Sequence, residues 1–285
     1  MPILSLSELF LDMPVEILSR SGEAQISAVI SDSRRVVPGC LFVAVRGSSF
    51  DGHRYIPEVV KQGAAAIVGM EADISPGVPY IQVRDTRSAL PHIAAAFYGN
   101  PGRKLTMIGV TGTDGKTTTT NLIFQILRAA GLKTGMVSTV NAVIGEKMLD
   151  TGFHVTTPEP IDVQCYLAML VESGLTHAVL ETTSHGWAQH RVDGCEFDVA
   201  VVTNITHEHL DEHGSLENYR KAKARLFESL GETRKKPQGN PRTAVLNFDD
   251  SSYEFLKTVC EGMSGVEMLS YGTSVYAWAS AGEWQ

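Results

Sequence analysis

Nine consecutive residues carry the densest chemical pattern in the chain: Val110-Thr111-Gly112-Thr113-Asp114-Gly115-Lys116-Thr117-Thr118. Glycines let a backbone wrap closely around an anion, with its N–H groups aimed at phosphate oxygens. Lys116 then supplies a cation for β- and γ-phosphates, and the Thr117 hydroxyl supplies a ligand for Mg²⁺. The pattern is a compact phosphate-loop variant. The glycine usual five residues before Gly115 is Val110 here, and Gly112 takes its place. The implied ligand is ATP or GTP. A second group is Glu181, which closes the apolar run 178–180. A carboxylate at that height can hold the nucleotide's Mg²⁺, or simply cap a neighbouring loop.

Histidines raise the question of a metal, since seven of the nine fall between His154 and His213. His207-Glu208-His209 with His213 has zinc-type residues, but the His-Glu-x-x-His spacing is absent and no cysteine is near. One histidine assisting a hard Mg²⁺ site is the other reading. Lys223 lies in the basic segment 220–225, where a solvated helix face is the default. Arg191 could clamp a carboxylate in bidentate fashion or be an ordinary surface residue.

These residues need a scaffold, and the chain's patterning specifies one. An apolar β-type run, 105–110, leads into the glycine-rich turn. Leu122, Ile123, Ile126, Leu127 and Ala130 follow at helical spacing. Beyond it, strands expected at 134–140, 177–181, 198–203, 243–247 and 266–271 alternate with helices at 161–173, 216–230 and 251–261. Such alternation predicts a doubly wound, mostly parallel α/β sheet with helices on both faces, its ligands at the carboxyl ends of the strands. Residues 1–100 read as a separate small α/β domain, with strands near 28–31, 41–45, 65–68 and 80–83 and helices near 57–62 and 87–98. Gly99-Asn100-Pro101-Gly102 marks the boundary, and 101–285 form the second domain. The sheet is expected to be complete by Tyr271, and the tail 276–285 shows no strand or helix pattern.

Composition is that of a globular chain: 285 residues, 43% hydrophobic, net charge −8. Arg234-Lys235-Lys236, beside Pro237, Gly239 and Pro241, reads as a solvated loop, so no nucleic-acid partner is expected. No apolar run has membrane length. Four scattered cysteines without a Cys-x-x-Cys pair suit a reducing cytoplasm.

The motifs resemble those of the Mur ligase family, the ATP-dependent amide-forming enzymes of peptidoglycan synthesis, from about Ser31 to Phe248. They are Asp32-Ser33-Arg34, Pro38-Gly39-x-Leu41-Phe42-Val43-Ala44, Asp51-Gly52-His53, the phosphate loop and Thr156-Thr157-Pro158. Ser184-His185-Gly186-x-x-Gln189-His190-Arg191, Thr203-Asn204 through Gly214, and Ala222-Lys223-x-x-Leu226-Phe227 complete the set. The Ser-His-Gly-x-x-Gln-His-Arg element is similar to the branch that adds a diamino acid to UDP-MurNAc-L-Ala-D-Glu, rather than to the D-Ala-D-Ala-adding branch.

What the resemblance implies can be carried over position by position. Ser33, Ser48, Ser49 and Phe50 help hold the uridine end. Thr156, Thr157, Thr183, Gln189 and Arg191 hold the muramoyl-dipeptide. Residues 111–118 hold ATP, Asn247 approaches the adenine, and Thr117 and Glu181 serve a first Mg²⁺. His209 joins the metal site. Lys223, carrying a CO₂-derived carbamate, supports a second Mg²⁺, a hard cation suited to carboxylate oxygen. The resemblance also implies a full-length monomer. Departures are His207-Glu208 where the family has Arg-Asp, and Thr183 where it has serine. Nothing after Tyr271 resembles the family's C-terminal domain, so the 285-residue chain is expected to bind its ligands weakly and not to form the amide alone. A folylpolyglutamate-type ligase, a P-loop kinase or GTPase, and a non-catalytic nucleotide- or UDP-sugar-binding module are the alternatives.

Overall fold

A computed structural model describes residues 2–47, 50–72, 74–150, 157–206, 214–273 and 279–280. The chain divides into two compact units. One is Met1–Asn100 with Pro160–Cys165, and the other is Pro101–Glu159 with Tyr166–Gln285.

In the first unit, apolar β-branched and aromatic runs form strands β1 (Ile17–Ser21), β2 (Ala28–Ile30), β3 (Cys40–Val43), β4 (Ala66–Gly69) and β5 (Tyr80–Val83). Their order is β1-β5-β4-β3-β2, parallel except for β1. β3 and β4 are buried on both faces, which is why they read as unbroken apolar runs. Helices α1 (Ile56–Lys61) and α2 (Thr86–Phe97) accompany them. The Asp85 carboxylate accepts the Arg87 N–H at 2.9 Å and starts α2. β1 is absent from the sequence-based expectation because every one of its residues is exposed and none alternates.

The second unit is built on strand β6 (Thr106–Thr111), helix α3 (Lys116–Ala129) and strands β7 (Thr134–Val137), β8 (Asn141–Ile144) and β9 (Lys147–Asp150). Helix α4 (Pro160–Glu172) precedes β10 (His177–Glu181), and helix α5 (Ser184–Ala188) precedes β11 (Val199–Val202). Then come α6 (Leu216–Glu232), β12 (Thr243–Asn247), α7 (Tyr253–Glu261), β13 (Glu267–Gly272) and β14 (Ala279–Ser280). Among the described residues the sheet order is β9-β8-β7-β10-β6-β11-β12-β13-β14. The pairs from β7 across to β14 are parallel, and β8 and β9 are antiparallel.

Helices cover both faces, as the alternation implies. Ile108 and Val110 of β6 share a core with Phe124 of α3. Between them Gly109 points the other way, where a Cβ would stand 2.5 Å from Leu226 Cδ1 of α6 and 2.9 Å from the Phe197 ring. Only glycine lets α6 come that close to the strand.

Three expectations need correction. The strand expected over 134–140 ends at Val137, and a hairpin of β8 and β9 follows. Its two-residue turn starts at Gly145, whose φ of 62° suits glycine. The sheet also extends past Tyr271, since Ala279 pairs with Tyr271 and Ser280 with Gly272. That partner strand is too short for any pattern to reveal. Last, Lys236 is not solvated. Its ammonium is buried, donates to Leu105 O at 2.9 Å and Glu196 O at 2.7 Å, and ion-pairs with the buried Asp198. Asp198 also accepts the Met107 N–H at 2.7 Å and the Asn240 amide at 3.0 Å. Burial pushes the Asp198 carboxyl up and the Lys236 ammonium down.

Candidate functional site

The carboxyl ends of β10, β6 and β11 lie side by side, with Glu181 opposite Val110 and Val202 opposite Thr111. The chain leaves β6 into the glycine-rich loop. Gly112 has φ 151°, and a Cβ there would meet Thr203 Oγ1 at 1.8 Å. Its bareness therefore serves the seat against β11 as well as backbone freedom. Gly115 has φ 75° and occupies the cap position of α3 in the left-handed region. No side chain caps that helix, so its first N–H groups and positive dipole end face the loop.

Second-layer bonds fix the loop. Thr113 N–H donates to Asn204 O at 2.8 Å, and Asp114 N–H donates to Asn204 Oδ1 at 3.0 Å. The Thr203 hydroxyl donates to Asp114 O at 2.6 Å. Asn247 Nδ2 donates to Thr203 O at 2.8 Å, while its Oδ1 accepts the Asp249 N–H at 3.0 Å. The Tyr271 hydroxyl donates toward Val202 O at 2.9 Å and Thr203 O at 3.1 Å. Burial, then the Asp250 and Asp249 carboxylates, push that hydroxyl up to about 12, so it remains a donor at neutral pH.

Four candidate residues converge on this loop. Lys116 Nζ folds back onto Thr113 O at 2.7 Å. The Thr117 hydroxyl lies 3.0 Å from both oxygens of the buried Glu181, which also accepts the Thr139 N–H at 3.1 Å. A hydroxyl and a carboxylate form an oxygen-only donor set, which suits a hard divalent cation better than zinc. From the opposite side Lys223, buried on α6, donates to Gly112 O at 2.5 Å. The default reading of Lys223 as part of a solvated face is therefore wrong, because its side chain turns under the loop.

A second cluster gathers four other candidates. Thr157 Oγ1 and Thr183 Oγ1 are 3.1 Å apart, and Thr183 caps α5 by accepting the Gly186 N–H at 2.9 Å. A Cβ on Gly186 would lie 2.7 Å from Thr157 Oγ1, so glycine permits that approach. His190 adopts φ 59°, turning the chain so that Arg191 N–H reaches Gly186 O at 2.8 Å. The buried guanidinium then donates to Thr157 O at 2.6 Å and Gln189 Oε1 at 2.7 Å, and pairs with Glu159 at 3.0 Å. Arg191 is thus no ordinary surface residue.

Of the first unit's candidates, Ser33 opens a short 3₁₀ turn capped by Asp32, and Phe50 is exposed. Ser48, Ser49, Thr156 and His209, like His207, Glu208 and His213, lie outside the described residues. The sequence places Asn204 at the ligand-bearing edge of the sheet but does not assign Thr203, Tyr219 or Tyr271 to the site. Thr203-Asn204 was visible as a motif, but its role depends on pairing between strands.

Comparison with known proteins follows the same lines. Residues 110–283 match the Mur ligase middle domain, and residues 25–98 match a profile described as Mur ligase family, catalytic domain. The UDP-N-acetylmuramyl-tripeptide synthetase of Roseiflexus sp. (strain RS-1) is 44% identical over 259 residues, 89% of this chain and 50% of that protein. The UDP-N-acetylmuramoyl-L-alanyl-D-glutamate–2,6-diaminopimelate ligase of Geobacillus thermodenitrificans (strain NG80-2) is 43% identical over 253 residues, again 89% and 50%. A solved structure of a ligase of that name superposes with a TM-score of 0.78 at 26% identity, over 97% of this chain and 54% of its own. The chain spans about half the length of the curated relatives it matches. With a family profile covering more than half its length, from Val110 through the glycine-rich loop onward, the chain belongs to the Mur ligase family.

Proposed function

We propose that this chain carries the nucleotide- and UDP-sugar-binding parts of an ATP-dependent ligase that adds a diamino acid to UDP-MurNAc-L-Ala-D-Glu. The observation that carries the reading is the convergence of Lys116, Thr117, Glu181 and Lys223 on one glycine-rich loop. Residues 111–118 hold the triphosphate of ATP, with Asn247 toward the adenine. Lys116 leaves Thr113 O to neutralise the transferring phosphoryl group. Mg²⁺ ions, when bound, supply the remaining charge neutralisation, and Thr117 and Glu181 fit the first of them. His209 and a carbamate on Lys223 serve the second.

Arg191, Gln189, Thr157 and Thr183, with Thr156, hold the muramoyl-dipeptide so that its D-glutamyl carboxylate meets the γ-phosphate. Attack there yields an acyl phosphate and ADP, and the incoming amine displaces phosphate. Held in line, such reactants gain up to roughly 7–11 kcal/mol from positioning alone. The unit of residues 1–100, with Ser33, Ser48, Ser49 and Phe50, takes the uridine end. The cytoplasm is the compartment this reading implies, since its substrates are soluble nucleotides. No helix among the described residues is long and apolar enough to cross a membrane.

The test is ligand-dependent nucleotide chemistry. Incubated with ATP, Mg²⁺ and UDP-MurNAc-dipeptide, the chain should bind both ligands saturably. Any ADP release should require the UDP-MurNAc-dipeptide. Failure to bind either a fluorescent ATP analogue or the UDP-sugar would overturn the reading.

A further inference from the structure

Thr113 is the meeting point of three segments. Its hydroxyl accepts the Thr206 N–H at 2.9 Å, from the stretch that follows β11. The same oxygen lies 3.1 Å from the Tyr219 hydroxyl on α6. Its carbonyl accepts Lys116 Nζ at 2.7 Å. Tyr219 is fully buried, and one helical turn along, on the same side of α6, stands Lys223. Lys223 Nζ lies 4.5 Å from the centre of the Tyr219 ring while donating to Gly112 O. One side chain thus touches the support of Lys116 through its hydroxyl and Lys223 itself through its ring.

We propose that Tyr219 is a positioning residue for nucleotide binding: it locks the phosphate loop to α6, so that Lys116 and Lys223 keep a fixed separation. The inference rests on the nucleotide-binding reading above. It is distinct from packing, because a core tyrosine kept for its ring alone tolerates loss of its hydroxyl. Here the hydroxyl is the link, and it ends on the one residue whose carbonyl parks Lys116. The ring contributes separately, by packing 4.5 Å from Lys223 Nζ and fixing where that side chain lies.

The experiment is a double-mutant cycle read by titration of a fluorescent ATP analogue with Mg²⁺. Tyr219→Phe keeps the ring and removes the hydroxyl. It should weaken binding roughly three- to tenfold, the range of one hydrogen bond, and lower the unfolding midpoint by no more than the worth of that bond. In a Thr113→Val background the same change should have no further effect. Lys116→Ala provides the reference loss. If Tyr219→Phe binds as tightly as wild type while Lys116→Ala does not, the positioning role is refuted. So is it if the Tyr219 and Thr113 effects multiply independently. If Lys116→Ala also binds as wild type does, the nucleotide reading fails and takes this inference with it.

Discussion

Lys116 Nζ rests on Thr113 O through one part-buried bond to a neighbouring carbonyl, which costs little to release. Its removal should therefore leave the fold intact and cost affinity. Lys116→Ala is expected to weaken binding of an ATP analogue roughly ten- to a hundredfold, the range for a hydrogen bond to a charged group. The unfolding midpoint should not move, and both can be measured on one preparation. Lys236 is the opposite case. Its ammonium and the Asp198 carboxylate are enclosed together at the other end of the strands, so deleting either strands a buried charge. Lys236→Ala should destabilise the protein by about 3–5 kcal/mol in a denaturant titration, without touching the phosphate loop directly. Two lysines of identical chemistry thus differ in what they serve. Asp51, His53 and Glu71 place ligand atoms within 4.8 Å of one another, yet they do not form a vacant metal site. His53 Nδ1 is bonded to Asp51 at 2.6 Å, and Nε2 accepts the Met70 N–H at 2.9 Å, so both ring nitrogens are committed.

At the scale of elements, the position of α6 decides where Lys223 ends up. Helix α6 is held against β6 by Leu226 over Gly109, three residues beyond Lys223. Gly109→Val should push the helix outward and overpack the seam, at a cost of about 1–3 kcal/mol. Because Lys223 and Tyr219 ride on the same helix, nucleotide affinity should fall together with the melting temperature. A variant that melts earlier yet binds normally would show that α6 can shift without disturbing the loop. Helix α5 plays the same part for Arg191. The Thr183 cap starts it and the His190 turn ends it, so local geometry aims the guanidinium at Thr157 O and Glu159, which hold it.

For the whole molecule, two carboxylates of the first unit contribute to the acid limb of stability. The His53 ring beside Asp51 holds its carboxyl down at about 2, and the Arg34 side chain does the same for Asp32. A carboxylate depressed in this way stabilises the fold above its unfolded value, near 4, and that stabilisation is lost as pH falls through about 2. Thermal melts between pH 4 and pH 2 should therefore show a steep decline. Asp51→Asn should flatten it while lowering the melting temperature at neutral pH. An equally steep decline in the variant would place the acid sensitivity elsewhere.

The sequence by itself determined the phosphate loop, the alternation of strands and helices, and hence the edge of the sheet where Glu181 and Asn204 had to emerge. Those features are local: glycine spacing, apolar period and chain order carry them. Tertiary structure alone decided which polar residues turn inward. Nothing in Arg234-Lys235-Lys236 marks its third residue for burial, because its partner Asp198 is 38 positions away. Charge alone does not separate Lys223 from its basic neighbours, and although its motif singles it out, its burial under the loop depends on Gly109 admitting the helix. The hairpin β8–β9 and the short β14 escaped notice for the same reason. Their pairing is set by a neighbouring strand rather than by their own composition, and a partner strand is invisible in a local window.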